Sequence, residues 1–343
     1  MAGRENVTLK DIAGAVGKSV ATVSKALHDR EDIAPETRQY IKRVAMEMGY
    51  NPNVIARRLQ KQRAEALGLI FPLLSARQAD PFFAELLAGI ADAAAERNFD
   101  LLVSSRAPGP AEETLYRRMV GERRVDGLIV AHPRTDDWRL DFLAAEHIPF
   151  VAVGPYTPEL DAPGVWVDTA AGLEQAVAHL AEQERRHLAL IPPPPHLRFS
   201  RLCRETFSAA TEAHGLRGQI AAGIEAFSQK EGYRAAQMLL AGPRPPDAII
   251  ACHDLVAMGA MAAAQNEGFE VGNDVAIIGF GDILLAEHAQ PPLTTLHQPT
   301  YQMGQQAGRM LLDMLAGRPP SPRQVVIKPW LVIRQSSNLA LWL

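Results

Sequence analysis

Along the first fifty residues the apolar positions recur at helical spacing. Leu9, Ile12, Ala13 and Val16 share one face of "LKDIAGAV", which predicts an amphipathic helix. Thr8 precedes it and Asp11 stands three residues on, so Thr8 can cap the first backbone donors while the acid sits over the positive end of the helix dipole. Gly17 breaks this helix and Ser19 supplies the next cap. A second helix is expected over about 20–27, with Val23, Ala26 and Leu27 apolar. Pro35 and Glu36 open a third, "PETRQYIKRVAMEMG", which Gly49 stops. Three such helices bury one small core. The following "NPNVIARRLQKQRAEA" is helical in propensity but too poor in apolar residues to fold alone, and it reads as a linker that orders conditionally.

From Leu67 onward the period changes. Short apolar runs such as "LGLIF", "DLLVSS", "VDGLIVA" and "PFVAVG" alternate with helical segments such as "PFFAELLAGIADAAAERN" and "EETLYRRMVGERR". The second half repeats the alternation with "HLALIPP", "DAIIACH", "DVAIIGF" and a final "QVVIKPWLVI". Alternating strand and helix predicts parallel sheets covered on both faces. The expected fold class is therefore an all-α N-terminal head followed by an α/β body of two doubly wound parallel-sheet lobes with a cleft between them.

Charge changes the picture. The net charge of −4 argues against a nucleic-acid partner, yet residues 1–63 hold twelve Lys and Arg against seven Asp and Glu, a net of +5, which leaves −9 on the rest. Polyanion binding is expected to be local to the basic head. The N-terminus has no signal-peptide h-region and no apolar run is long enough to span a bilayer, so a cytoplasmic protein without membrane association is expected. Two cysteines, Cys203 and Cys252, make neither a disulfide framework nor a metal quartet, and neither metal nor cofactor is expected.

The first two helices, joined by a Gly-bearing turn, have the spacing of a helix-turn-helix, whose second helix enters the DNA major groove. This accounts for "SVATVSK", a helix start that shows small side chains where Lys and Glu are usual. Val20 and Ala21 permit close approach and contact with thymine methyls, while Thr22, Ser24 and Lys25 can bond phosphates or base edges. The helix-start hydroxyls Thr8 and Ser19 are further candidates.

The block "VTLKDIAGAVGKSVATVSKALHDREDIAPETRQYIKRVAMEMGYNPNVIARRL" resembles the DNA-binding module of the LacI/GalR family of bacterial transcription regulators over its whole length. "DPFFAELLAGI", "VDGLIV", "PFVAVG", "GFGDILLAEHAQPPLTTLHQP" and "PWLVIRQSS" extend the likeness to nearly all of the chain. The resemblance implies a homodimer, each subunit with a three-helix head, a hinge helix and a body like periplasmic sugar-binding proteins. It divides this chain into a head at 1–50, a hinge at 51–65 and a body at 66–343. Lobe 1 is expected at about 66–158 and 297–325, lobe 2 at about 159–296 and 326–343.

The resemblance places Val20, Ala21 and Lys25 at the specificity positions. It implies a pseudo-palindromic double-stranded operator, with Asn53, Ala56 and Arg57 on the hinge and Leu59 wedged into the central base step from the minor groove. Unstacking that step costs a few kcal/mol, and the kink lets two heads reach adjacent half-sites.

In the body it implies a small polyhydroxylated or heterocyclic effector, a sugar by default, probed by Ser75, Phe83, Arg201, Arg204, Phe227, His253, Asp254, Asp282 and Gln298. Phe227 matches the stacking aromatic and Gln298 the cleft amide. Three positions depart from the family pattern. Cys203 stands where sugar-responsive members carry Arg, Gly281 replaces one carboxylate of "GFDD", and His253 replaces the Asn of an "ND" pair.

No G-x-S-x-G, P-loop, H-E-x-x-H or clustered Cys and His spacing is present, so no enzyme is expected. The expected function is sequence-specific repression of a carbohydrate-utilisation operon under allosteric control by a sugar. An activator, or a regulator needing a non-sugar co-repressor, is the alternative, because the sign of the effect depends on which lobe arrangement the ligand favours.

Overall fold

The computed structural model describes residues 7–27, 29–50, 63–72, 80–155 and 160–338. The chain divides into two units, Met1–Arg63 and Ala64–Leu343.

The first unit holds α1 (Leu9–Val16), α2 (Val20–Leu27) and α3 (Pro35–Glu47). Thr8 and Asp11 form a reciprocal capping box, in which the Thr8 amide donates to the Asp11 carboxylate over 2.8 Å and the Asp11 amide donates back to the Thr8 hydroxyl. Gly17 leaves α1 in the left-handed region at φ 63°, and Ser19 Oγ accepts from the Thr22 amide at 3.1 Å to start α2. Ile12, Val23, Ala26 and Ile41 are wholly buried, one small core shared by three helices.

The second unit contains two six-stranded sheets. The first is built from β1 (Ala66–Phe71), β2 (Asp100–Ser105), β3 (Gly127–Ala131), β4 (Phe150–Pro155), β5 (Gly164–Val167) and β11 (Gln324–Ile327), in the order β11-β5-β4-β3-β1-β2, all parallel. The second is built from β6 (His187–Ile191), β7 (Arg217–Ile220), β8 (Ala248–Ala251), β9 (Ala276–Gly281), β10 (Thr294–His297) and β12 (Trp330–Val332), in the order β12-β10-β9-β8-β6-β7. Among the described strands only β12 runs antiparallel, against β10. Both sheets have the doubly wound order in which ligands gather outside the carboxyl ends of the strands.

Among the described residues, eight α-helices cover the sheets: α4 (Pro81–Glu96), α5 (Pro110–Gly121), α6 (Trp138–Ala145), α7 (Thr169–Glu182), α8 (Ser200–Ala213), α9 (Gln229–Leu240), α10 (Asp254–Asn266) and α11 (Thr300–Leu315). α4 and α11 cross so closely that a Cβ on Gly89 would lie 2.0 Å from the Tyr301 carbonyl oxygen.

The first lobe extends beyond its expected boundary at 158. The buried strand "GVWV" at Gly164–Val167 pairs with β4, so the chain leaves this sheet only after Val167. The terminal "QVVIKPWLVI" is two strands rather than one: β11 ends at Ile327, Lys328 and Pro329 intervene, and β12 joins the other sheet. Pro329 has no amide proton to continue a ladder.

Candidate functional site

In the first unit α2 presents two unlike faces. Val23 and Ala26 point into the core, whereas Val20, Ala21 and Lys25 are exposed, Val20 by 43%. An exposed β-branched residue beside an alanine makes a smooth, low-relief surface suited to close approach. Lys25 Nζ pairs with Asp32, but both side chains are more than half exposed and such a pair is weakly held. The Thr8, Ser19 and Thr22 hydroxyls already have intramolecular partners: Thr8 donates to Asp11 and Ser19 shares a 2.8 Å bond with Thr22. Ser24 is half-buried on the same helix. Asn53, Ala56, Arg57 and Leu59 lie outside the described residues.

In the second unit the carboxyl ends of the strands converge on a cleft with two adjoining chambers. The first receives His132 from the end of β3, Thr169 from after β5, His253 from after β8, Gly281 from β9 and Gln298 from after β10. Four phenyl rings, Phe82, Phe199, Phe227 and Phe280, complete much of its wall. The second chamber carries more charged side chains, with Asp80, Arg134, Arg139, His196 and Glu225 beside Phe83. His132 and Phe227 line both, their ring centroids 6.2 Å apart.

The aromatic groups are mutually oriented. Phe227 stacks on His253 at 4.7 Å and Phe82 on His132 at 4.5 Å. Burial pushes the His132 imidazole down to about 4, so it is neutral at physiological pH. His253 caps α10 by accepting from the Leu255 amide at Nδ1, which leaves Nε2 facing Asp80 at 3.2 Å. Several polar groups on the first chamber's wall make no side-chain hydrogen bond among the described residues, the Glu85 carboxylate and the His132 imidazole among them. The Thr169 hydroxyl is buried without a partner, and the Gln298 amide makes no side-chain hydrogen bond among the described residues.

Four expected effector contacts are elsewhere. Asp254 is wholly buried and has both carboxylate oxygens engaged, one by the Thr295 hydroxyl and the other by the Ile283 amide at 2.8 Å. It fixes the loop after β9, and burial pushes its pKa up. Asp282 turns away from the cavity while its neighbours Gly281 and Ile283 line it, and its carboxylate binds His297 and Arg334, each at 2.8 Å. Arg201 is exposed and pairs with Glu205 on the outside of α8, and Arg204 is absent from both chambers, because the buried face of that helix is Cys203, Phe207 and Ala210. Phe83 lines the second chamber, while Ser75 lies outside the described residues.

Phe82, His132 and Thr169 were not expected on this surface. Position after a parallel strand is the signal that would have found His132 and Thr169. Among the described residues no group of three or more His, Cys, Asp or Glu side chains could hold a metal, and no helix is long and apolar enough to cross a membrane.

A helix-turn-helix head joined in one chain to a two-lobed body with a ligand-sized cleft defines the class of effector-responsive DNA-binding regulators. Comparison with known proteins makes the assignment specific. Residues 8–53 match the family of bacterial regulatory proteins, lacI family, and residues 177–337 match a periplasmic binding protein-like domain. The HTH-type transcriptional regulator AglR of Rhizobium meliloti is 32% identical over 97% of this chain and 95% of its own length. CelR of Thermobifida fusca is 30% identical over 98% and 100%. Among solved structures, a CelR–cellobiose complex superposes with a TM-score of 0.72 at 28% identity, covering 96% of this chain and all of that one. A lac repressor dimer bound to operator and the anti-inducer ONPF gives 0.83 at 22% identity over 97% and 100%, a likeness of fold. The chain belongs to the LacI family and is a DNA-binding transcription regulator.

Proposed function

We propose that this regulator is a homodimeric repressor of carbohydrate-utilisation genes that acts in the bacterial cytoplasm on a pseudo-palindromic operator. A small sugar-containing effector in the interlobe cleft controls its grip on DNA, and the protein catalyses no reaction. The observation that carries this reading is the cleft itself: two chambers at the carboxyl ends of both sheets, with an unpartnered buried hydroxyl and a free amide on the wall. The cellobiose in the CelR structure supports the sugar class. Leu284 and Leu285, 72% and 46% exposed, support an apolar contact with a second copy.

Footprinting of the full chain on genomic DNA selected by its own binding, with and without candidate ligands, tests the reading. Protection that a ligand releases is the expected result. Protection that appears only with ligand would establish co-repression instead. No protected sequence under either condition would dismiss the regulator.

A further inference from the structure

The two cysteines lie far apart in sequence and meet in the fold. Cys203 stands near the start of α8, and Cys252 follows β8 directly, beside His253. Both belong to one apolar core, and the Cys203 thiol shares a hydrogen bond with that of Cys252. Neither is in a disulfide. Sulfur atoms in such contact need only a small further approach to reach the bonded separation of about 2.05 Å.

Access to the two differs. Cys203 has no exposed surface, whereas Cys252, 7% exposed, is on the wall of the first chamber. A small molecule that enters the cleft therefore meets the Cys252 sulfur, with Cys203 behind it. Burial, reinforced by the neighbouring thiol, pushes the Cys203 pKa well up and keeps it a protonated thiol. Such a group is a poor first target for an oxidant, but it is placed to close a bond once its neighbour has been oxidised, and it brings the proton that the departing oxygen needs.

We infer that Cys203 and Cys252 form a dithiol–disulfide couple in the chamber wall, closed by a small hydroperoxide that enters the cleft. The Cys252 sulfur attacks one peroxide oxygen and the O–O bond breaks; with hydrogen peroxide the other oxygen leaves as water with the thiol proton, and Cys252 becomes a sulfenic acid. The Cys203 sulfur then attacks the Cys252 sulfur, the S–O bond breaks, and the hydroxyl departs with the Cys203 proton as a second water. The pair of thiols thus gives up the two electrons that reduce one peroxide to water, and a dithiol reductant reverses the step. Cys252 precedes His253, which caps α10, stacks on Phe227 and bonds Asp80 of the opposite lobe, so drawing the Cys252 sulfur toward α8 acts on the chamber wall and on the interlobe bond together. The inference goes beyond the proposed function and needs neither DNA nor an effector for its test.

The reduced full chain is treated with hydrogen peroxide at neutral pH, denatured in the presence of an alkylating agent and read by peptide mass spectrometry. Both thiols are expected to disappear together into one intrachain cross-link, lighter than the free pair by the two thiol hydrogens, which dithiothreitol reverses. Met46 and Met238, 81% and 66% exposed, serve as the dose control, and the cross-link should form before either is converted to sulfoxide. Cys203→Ser should leave Cys252 as a sulfenic acid that dimedone traps, and Cys252→Ser should leave Cys203 a thiol. Sulfoxide at both methionines with the two thiols intact, a cross-link only between chains, or oxidation of Cys203 in the absence of Cys252 would each overturn the couple. Its effect on the cleft is read by melting: Asp80→Asn should lower the melting temperature less in the oxidised chain than in the reduced one, and equal losses would overturn the link to the interlobe bond. Operator footprinting of the reduced chain does not depend on these outcomes, so failure of the couple is distinct from failure of the regulator reading.

Discussion

His253 Nε2 lies 3.2 Å from Asp80 Oδ1, and the bond crosses the cleft. Asp80 precedes α4 on the first lobe and also caps it, accepting from the Phe82 amide at 3.0 Å, while His253 opens α10 on the second. One carboxylate oxygen thus holds a helix start and the opposite lobe together. Burial works against the Asp80 carboxylate, but the facing imidazole outweighs it and holds its pKa below the ordinary range. Burial likewise opposes protonation of His253, and Asp80 overrides it and raises the imidazole's pKa.

This pair should contribute measurably to the stability of the body. Denaturant unfolding of Asp80→Asn, His253→Ala and the double variant is expected to give a coupling of about 1–3 kcal/mol, the range for a buried hydrogen bond to a charged group. The pH dependence follows from the two shifts. The His253 contribution is complete below its ordinary 6.5 and is lost as pH rises through its raised value. The Asp80 contribution is present above its ordinary 3.8 and is lost as pH falls through its depressed value. Coupling should therefore be larger near about pH 6 than near about pH 9. Equal coupling at both would show that the ring stays neutral throughout.

The recognition surface makes a prediction of opposite kind, with a large effect on binding and a small one on stability. Ala21 is exposed on α2, so Ala21→Glu should leave the melting of the head nearly unchanged. In the groove the same carboxylate would meet phosphates and base acceptors, and operator affinity should fall by about a hundredfold or more. Lys25→Ala should lower affinity less and reduce the slope of affinity against salt by about one. Mobility-shift titrations at several salt concentrations measure both. By contrast Val23→Glu, at a wholly buried position, should unfold the head.

What the sequence discloses follows from what each element needs. The head was legible because its helices are amphipathic and carry their caps in sequence, as Thr8, Gly17 and Ser19 do. The body's central strands were legible as apolar runs, since β3, β8 and most of β9 are buried along their length. β7, "RGQI", is a polar edge strand whose pairing with β6 has no local hydrophobic signal. β5 is four residues long and β11 is separated from β12 by only Lys328 and Pro329, so which sheet each joins depends on tertiary pairing. Phe227, His253 and Gln298, expected at the effector cleft, line its first chamber. Asp254 and Asp282 were expected there too, but carboxylates next in sequence to wall residues project into the lobe, where Thr295, Ile283, His297 and Arg334 engage them.

Close helix crossings make the glycines at 89 and 304 sensitive. A Cβ on Gly304 would lie 2.4 Å from the Leu86 carbonyl oxygen, and one on Gly89 only 2.0 Å from that of Tyr301, both backbone atoms of the facing helix. Neither clash can be relieved by a rotamer change, so α4 and α11 must separate. Gly89→Ala is expected to cost about 1–3 kcal/mol of body stability. Gly14→Ala, with no foreign atom within 4 Å of the added carbon, should be neutral or slightly stabilising to the head. Thermal denaturation of the two variants separates steric crowding from helix propensity.

Gly281 offers the sharpest test of how far family pattern governs this cleft. An aspartate here would restore the carboxylate pair "GFDD", and pattern alone would predict stronger binding of a plain sugar. The backbone says otherwise. Gly281 has φ 131°, a conformation that side chains rarely adopt, and its new Cβ would sit 3.4 Å from Asp254 Oδ2. Asp254 is wholly buried and its pKa is already raised by burial, so a second carboxylate would add repulsion to strain. Gly281→Asp is expected to lower stability by about 1–3 kcal/mol from the backbone alone. Its melting temperature should rise as pH falls from neutrality toward about 5, because protonation relieves the paired carboxylates. Calorimetry with cellobiose should show no gain over the parent chain. A stable variant with a new, tight disaccharide site would mean that the loop after β9 can refold around an acid, and that its present course follows from the glycine rather than from the packing of Asp254 against Ile283 and Thr295.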